Sequence, residues 1–224
     1  ATIAFTLAMS GLATELVLVD VNEPKAIGEA LDIAHAAAFI KPTRIYAGTF
    51  EDCRDASIIV FSAGAAQKPG ETRLELLQKN YAILKQSLPR LQGGNKEQIL
   101  LIVSNPVDVL TYAALKITGL PPQKVFGSGT VLDSSRFRHS LSRRCGVAPR
   151  NIHAYVVGEH GDSEVLLWSL AYIAGLRVDQ YCDLACIEPV NRRVLEQEVK
   201  NAAYEIISRK GATYYAISLA VKRI

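Results

Sequence analysis

Gln98-Ile99-Leu100-Leu101-Ile102-Val103 is an apolar run with no alternation of polar and apolar positions. A strand wetted on one face alternates, whereas a strand covered on both faces does not. The run therefore reads as a buried strand of a parallel sheet. Its surroundings repeat the pattern. Ser57 to Phe61 is a second such strand, Lys124 to Phe126 a weaker one, and Thr43 to Ala47 a short one. Glu15 to Asp20 is a buried strand that ends in an acid. Helix-like segments lie between them: Lys25 to Ala38 after Pro24, Arg73 to Leu91, and Val107 to Ile117. Strands that alternate with helices predict βαβ units and a parallel sheet, an α/β fold.

From Val131 the pattern changes. A helix of mixed polarity, Leu132 to Arg144, closes at Gly146. A strand is expected over Asn151 to Val157, and Val190 to Ser208 has amphipathic helix spacing. Gly211 interrupts, and Thr213 to Val221 resumes the helix. Ala1 to Ser10 is helical in spacing and stops at Gly11. The change near Ser128 predicts two domains, residues 1–128 and 129–224. Both chain ends fall inside helix-like segments, so the sequence reads as a piece of a longer one.

Composition narrows the function classes. With 224 residues, 49% hydrophobic and 21% charged, the chain can bury a sizeable core. A net charge of +3, with no Lys/Arg block longer than two, argues against a nucleic-acid surface. No apolar run reaches membrane-spanning length, and no signal peptide is present. Cys53, Cys145, Cys182 and Cys186 are scattered, and only the last two are four apart. No second pair completes a metal site, so no metal is expected, and a reduced, cytoplasmic setting fits.

Polar residues cluster at the strand ends. Asp20 closes the first buried strand, where a carboxylate suits the ribose diol of NAD and repels the 2′-phosphate of NADP. A solvated strand-end acid would look the same. The G-x-G-x-x-G phosphate turn is not present before it. Ser62 to Arg73 follows the next strand, with a Pro69-Gly70 turn and a Thr72–Glu75 capping box that puts Arg73 at a helix start. A mobile lid and an ordinary surface loop both fit that stretch. Asn105, in Ser104-Asn-Pro-Val-Asp108, offers a donor and an acceptor at a strand end.

The last cluster handles charge. His160 sits between Gly158 and Gly161 on a loop after a strand, where an imidazole can exchange protons near neutral pH. Asp133 and Arg136 are three apart on one helix and share a face, while Arg138 points elsewhere. An Asp beside a His can fix its tautomer and stabilise its protonated form. An Arg can grip a carboxylate through two parallel hydrogen bonds. The alternative is a plain intrahelical Asp133–Arg136 ion pair. No serine or cysteine nucleophile motif is present.

Five stretches carry a resemblance. Gly64-Ala-Ala-Gln-Lys-Pro-Gly-Glu-Thr-Arg73, Ser104-Asn-Pro-Val-Asp108, Gly127-Ser-Gly-Thr-Val-Leu-Asp-Ser-Ser-Arg136, Gly158-Glu-His-Gly-Asp-Ser-Glu164 and Lys210-Gly-Ala-Thr-Tyr-Tyr215 resemble the bacterial L-lactate dehydrogenases of the fructose 1,6-bisphosphate-responsive type. The resemblance runs the whole length. It implies a Rossmann-type doubly wound parallel sheet with NAD as cofactor, followed by an α+β substrate domain. It also implies that a first strand with its glycine turn, and the end of the substrate domain, lie outside this sequence.

The resemblance further implies roles. Arg136 would clamp the pyruvate carboxylate, His160 would deliver the proton, and Asp133 would stabilise protonated His160. Arg73 would polarise the carbonyl, and Asn105 would hold the nicotinamide end and the substrate oxygen. Gly64, Ala65, Val103, Ser128 and, most weakly, Lys25 match positions near the cofactor, with Asp20 on the ribose. Gln67 stands where malate dehydrogenases carry an Arg for a second carboxylate; a neutral Gln leaves that charge unpaired, which disfavours oxaloacetate. Thr213 would line the same side of the pocket. Arg138 and His153 match positions that bind fructose 1,6-bisphosphate at a subunit interface of a homotetramer. Two rivals remain: a malate-type 2-hydroxy acid dehydrogenase, and a non-catalytic copy retained as a structural protein.

Overall fold

The structure is a computed structural model that describes residues 1–65, 72–91 and 94–224, with the backbone alone at Arg73. The chain divides into two compact units, Ala1–Ser128 with Val221–Ile224, and Gly129–Ala220.

In the first unit, α1 (Thr2–Ser10) ends at Gly11 in the left-handed conformation and leads to β1 (Glu15–Leu18). The Asn22 side chain caps α2 (Glu23–Ala34) by accepting from the Lys25 N–H, and Pro24 occupies the first turn. The helix expected to reach Ala38 instead tightens into a 3-10 segment over His35–Phe39. Next comes β2 (Arg44–Ala47), which pairs with β1 in parallel, Glu15 opposite Arg44. A second parallel ladder holds β3 (Ile58–Phe61), β4 (Ile99–Ile102) and β5 (Val125–Gly127) in that order. Helix α3 (Arg73–Leu91) connects β3 to β4, and α4 (Val107–Thr118) connects β4 to β5.

The run that opened the reading is β4. Leu100, Leu101 and Ile102 are all buried, as a strand without alternation requires. Ile59, Phe61, Leu84, Leu88, Leu100, Ile102 and Leu110 form one core. On α3 the buried residues Leu76, Asn80, Leu84 and Leu88 recur every fourth position, so Asn80 is a polar residue on an apolar stripe.

The second unit opens with α5 (Val131–Cys145), stopped by Gly146 in the left-handed conformation. Asp133, Phe137, Leu141 and Cys145 form its buried stripe, again at every fourth residue. The strand expected over Asn151–Val157 is broken. Pro149–Asn151 is a 3-10 turn, β6 (Ile152–His153) joins one sheet, and β7 (Val156–Val157) joins another. Side chains of α5 and of Thr130 just before it take the backbone groups at the break. Arg138 Nε donates to the Ala154 carbonyl (2.9 Å), and Ser134 Oγ accepts from the Val156 N–H (2.9 Å). Thr130 Oγ donates to the Val156 carbonyl (2.6 Å). A backbone held this way has no need of a neighbouring strand there.

Strand β8 (Val165–Leu166) pairs with β7; β9 (Tyr172–Ile173) lies between β6 and β10 (Leu176–Arg177). Then come α6 (Val178–Ala185), α7 (Arg192–Lys210) capped by Asn191, and α8 (Tyr215–Arg223). The core joins Phe137, Leu141, Ile152, Ile173, Leu195 and Val199, with Trp168 edge-on to Phe137 at 4.8 Å. No helix among the described residues is long and apolar enough to cross a membrane.

Candidate active site

The α5 stripe fixes the site in the second unit. Asp133 stands one helical turn before Phe137 on the buried face and is only 1% exposed. A carboxylate that deep needs partners on both oxygens. Its Oδ1 accepts from Arg136 Nη1 at 2.8 Å, and its Oδ2 lies 2.6 Å from His160 Nδ1. The intrahelical ion pair and the Asp–His couple therefore coexist on one carboxylate. The first turn of α5 also places Asp133 at the positive end of the helix dipole.

The electrostatics follow. Burial pushes Asp133 up, but the His160 hydrogen bond and the charges of His160 and Arg136 outweigh it and hold the carboxyl below its ordinary value. The hydrogen bond to Asp133 raises His160 above the usual imidazole value, against burial and Arg136. With Nδ1 turned to Asp133, Nε2 is the atom His160 presents to a reacting group.

Sequence reasoning missed a third member of this cluster. Glu164 is 4% exposed, and its Oε1 has no hydrogen-bond partner among the described residues. Asp133, His160 and Glu164 bring their ligating atoms within 4.8 Å of one another. Burial, then the Asp133 charge, push Glu164 up to about 7, opposed by His160, Arg136 and Lys200. Its signal in the sequence was an acid one residue before the apolar pair Val165–Leu166.

Arg138 is drawn to the strand that carries His153. Its Nε bonds the carbonyl of Ala154, and its guanidinium lies 5.0 Å over the Tyr155 ring. His153 is exposed on β6. Thr213 lies in the connection between α7 and α8 and is partly exposed.

In the first unit, the singled-out residues gather at the carboxyl ends of parallel strands, where open α/β sheets bind ligands. Val103 donates its N–H to Phe61, and Ser128 donates to Ile102. The Ser104 hydroxyl donates to the Ala63 carbonyl at 2.6 Å. Asn80, also missed, ties two loops together: its Oδ1 accepts from the Ala65 N–H and its Nδ2 donates to the Asn105 carbonyl, both at 2.7 Å. A Cβ at Gly64 would press on the Asn80 amide at 3.2–3.3 Å, so Asn80 would have to give by a few tenths of an ångström. The signal for Asn80 was its place on the Leu76–Leu84–Leu88 stripe.

Asp20, past the end of β1, is exposed and accepts from the Asn22 N–H at 2.9 Å. Lys25 is exposed in the first turn of α2. An exposed carboxylate, a glycine close against the Asn80 amide and a polar loop at strand ends fit the ribose and amide groups of a dinucleotide. The Thr72–Glu75 capping box is present, each backbone N–H bonded to the other's side chain at 2.8 and 3.2 Å. Gln67, Pro69, Gly70 and the Arg73 side chain lie outside the described residues.

Comparison with known proteins assigns both parts of the chain to one family. Residues 1–127 match the lactate/malate dehydrogenase NAD binding domain, and residues 130–224 match the alpha/beta C-terminal domain of the same family. An L-lactate dehydrogenase of Thermoanaerobacterium saccharolyticum is 56% identical over 227 residues, covering 100% of this chain and 73% of the relative. L-lactate dehydrogenase 1 of Clostridium acetobutylicum is 53% identical over 98% of this chain and 71% of its own length. A lactate dehydrogenase crystal structure from a Medee basin deep-sea metagenome library superposes with a TM-score of 0.92 at 43% identity, over 99% of this chain and 71% of that one. The minor L-lactate dehydrogenase of Enterococcus mundtii gives 0.90 at 42%, over the same shares. By family match over both halves and by identity, the chain belongs to the lactate/malate dehydrogenase family.

Proposed function

We propose a division of labour in which the first unit holds the dinucleotide and the second handles the proton and the substrate carboxylate. The protein is an NAD-dependent L-lactate dehydrogenase that interconverts pyruvate and L-lactate. The observation that carries the residue roles is the Asp133–His160 couple, 2.6 Å across and nearly sealed from water on the Asp side.

The reduced nicotinamide, when bound, supplies the hydride. His160 Nε2 hydrogen-bonds the carbonyl oxygen and gives up its proton as the alcohol forms. Asp133 stays ionised and stabilises the imidazolium beforehand. Arg136 gives one Nη1–H to Asp133 and clamps the pyruvate carboxylate with its remaining N–H groups. Arg73 adds positive charge at the carbonyl oxygen, where negative charge develops. Asn105 holds the nicotinamide amide and the substrate oxygen, and Asn80 positions it. Asp20 takes the adenosine ribose, with Lys25, Gly64, Ala65, Val103 and Ser128 around the dinucleotide. Gln67 and Thr213 line the methyl end of the substrate.

A malate-type reading requires a cation where Gln67 stands. A non-catalytic copy has no use for a buried Asp that costs several kcal/mol unless paired. The test uses NADH oxidation with pyruvate and with oxaloacetate. Pyruvate is preferred in the parent, and Gln67→Arg shifts the ratio of kcat/KM toward oxaloacetate by at least about tenfold, roughly 1.4 kcal/mol. A parent that prefers oxaloacetate overturns the lactate assignment.

The finer reading includes regulation in a cytoplasmic homotetramer. Arg138 bonds the carbonyl of Ala154, the residue next to the exposed His153, and this supports a phosphate site for fructose 1,6-bisphosphate where two copies face each other. Arg138 also grips the segment leading to the His160 loop, so anion binding there can bias the active site. The expected outcome is tighter pyruvate saturation with the bisphosphate, lost in Arg138→Gln; undiminished activation in that variant removes Arg138 from the site.

A further inference from the structure

Three of the four cysteines, far apart in sequence, converge at the other end of the α5 stripe. Cys145 is the last residue of α5 and is 3% exposed. Cys182 lies in α6, and Cys186 caps the end of α6 one turn later. Their sulfurs all lie within 4.8 Å of one another; Cys145–Cys182 is 3.8 Å and Cys182–Cys186 is 2.8 Å. The convergence is built by the backbone. The Arg144 carbonyl accepts from the Ile187 and Glu188 N–H groups at 2.8 and 3.1 Å, which pins the chain just past Cys186 against the end of α5. Gly146, in the left-handed conformation with φ +63°, turns the chain at the end of α5 beside Ile187.

We propose that Cys145, Cys182 and Cys186 form a three-thiolate site for a single sulfur-preferring divalent cation of the zinc type. Tetrahedral zinc with bonds of about 2.3 Å to sulfur sets its sulfurs about 3.8 Å apart. The Cys145–Cys182 edge already has that length. The Cys182–Cys186 edge opens by rotation of Cys186, a half-buried residue at a helix end. Cys182 and Cys186 also line a cavity of about 530 Å³ with Asp179, Asp183, Ile187 and Glu188. That cavity gives the cation an entry path and supplies its fourth ligand, a water or the Asp183 or Glu188 carboxylate. Asp179 is already held by Arg192 at 2.6 Å.

Two other uses of the cluster are weaker. As plain apolar packing, Cys145 belongs to the core and Cys182 and Cys186 pack against it, but these two also line an acid-lined cavity. As a redox pair the cluster lacks thiolate character. Burial and the neighbouring thiols push Cys145 and Cys186 up to about 11 and Cys182 to about 12, which suppresses attack on an oxidant. A divalent cation reverses that balance, because the closeness that opposes three thiolates is what binds them to a metal.

The experiment titrates the reduced, chelator-treated protein with Cd2+ alone, reading thiolate-to-metal charge transfer in the ultraviolet and proton release in weak buffer. Saturation at one Cd2+ per chain is expected, with about three protons released, since all three thiols start protonated. Zn2+ competes for the same site. Cys186→Ala, with pyruvate reduction unchanged as the check on folding, weakens Cd2+ binding at least about tenfold, whereas Cys53→Ala does not. Should Cys186→Ala fail to fold, the stoichiometry and proton count of the parent decide alone. No charge transfer, fewer than two protons per cation, or equal binding in Cys186→Ala overturns the proposal. So does a Cys182–Cys186 disulfide that forms under hydrogen peroxide as fast with Cd2+ as without it.

Discussion

At its N-terminal end the buried stripe of α5 offers Asp133, flanked by Arg136, His160 and Glu164; at its C-terminal end it offers Cys145, flanked by Cys182 and Cys186. Both are clusters of titratable groups on one helix face, twelve residues apart in sequence. They behave oppositely. At the first, unlike charges face each other, so Asp133 falls and His160 rises, each shifted toward its charged form. At the second, like groups face each other, partly buried and close to acids, and all three thiols stay neutral. Burial is common to both; the sign of the neighbour decides whether it arms a group or silences it.

The largest test of that contrast is Asp133→Asn. It preserves the shape and removes the charge that raises His160. Pyruvate turnover should fall by about 10²–10⁴-fold while NADH binding changes little. Because the reaction uses protonated His160, the fall of activity with rising pH should move to lower pH in the variant. Equal losses of turnover and cofactor affinity, or an unmoved pH profile, would make Asp133 a structural residue.

Glu164 sharpens the comparison, since it is the one group at the charged end that behaves like the thiols. Its folded value of about 7 lies above the ordinary carboxylate value of 4.5. Its proton therefore favours the folded state below pH 4.5, and that contribution is lost as pH rises through 7. Glu164→Gln keeps the neutral form at all pH values. The variant should match the parent at pH 4.5 and be more stable by roughly 1–3 kcal/mol at pH 8, read by urea unfolding at the two pH values. A parent as stable as the variant at pH 8 would mean that Glu164 finds a partner when ionised.

How much of this could be read from the chain alone depends on what kind of signal each part carries. Strand β4 was legible because a strand buried on both faces leaves an uninterrupted apolar run, visible without knowing the partners, and β3 and β5 pair alongside it. The break after His153 was not legible. It depends on Thr130, at the start of α5, and on Ser134 and Arg138, spaced four apart along it, reaching the backbone of residues 154–156, and spacing shows which residues share a face but not what they touch. Strands β8, β9 and β10 are two residues each, too short for any periodicity. Within the site, Asp133 and Arg136 could be placed on one face, but that one carboxylate serves both Arg136 and His160 is a matter of three-dimensional closure. The cysteines show the same limit: Cys182 and Cys186 were visible as neighbours, and Cys145, thirty-seven residues before Cys182, was not. A polar residue interrupting an every-fourth apolar stripe is the signal that would have found more, since it marks both Asp133 and Asn80.

The smallest expected effect lies at the thiol end and would break the comparison if it failed. In metal-free protein, the groups that face Cys186 are Cys145 and Cys182, with Asp179 near Cys182 and Arg144 near Cys145. Thiols raised from 9 to about 11 contribute stability that is complete below pH 9 and lost as pH climbs through 11. Between pH 6 and 8 the stability difference between parent and Cys186→Ala should therefore be flat and small, under about 1 kcal/mol, because the side chain is half exposed and loses only part of its packing. From pH 9 to 10.5 the parent should lose stability faster than the variant, which has one fewer thiol to keep protonated. Chemical unfolding across that range, with chelator present throughout, makes the comparison. A difference that instead changes between pH 6 and 8 would mean that one of these thiols already ionises near neutrality. The two ends of α5 would then follow the same electrostatic rule.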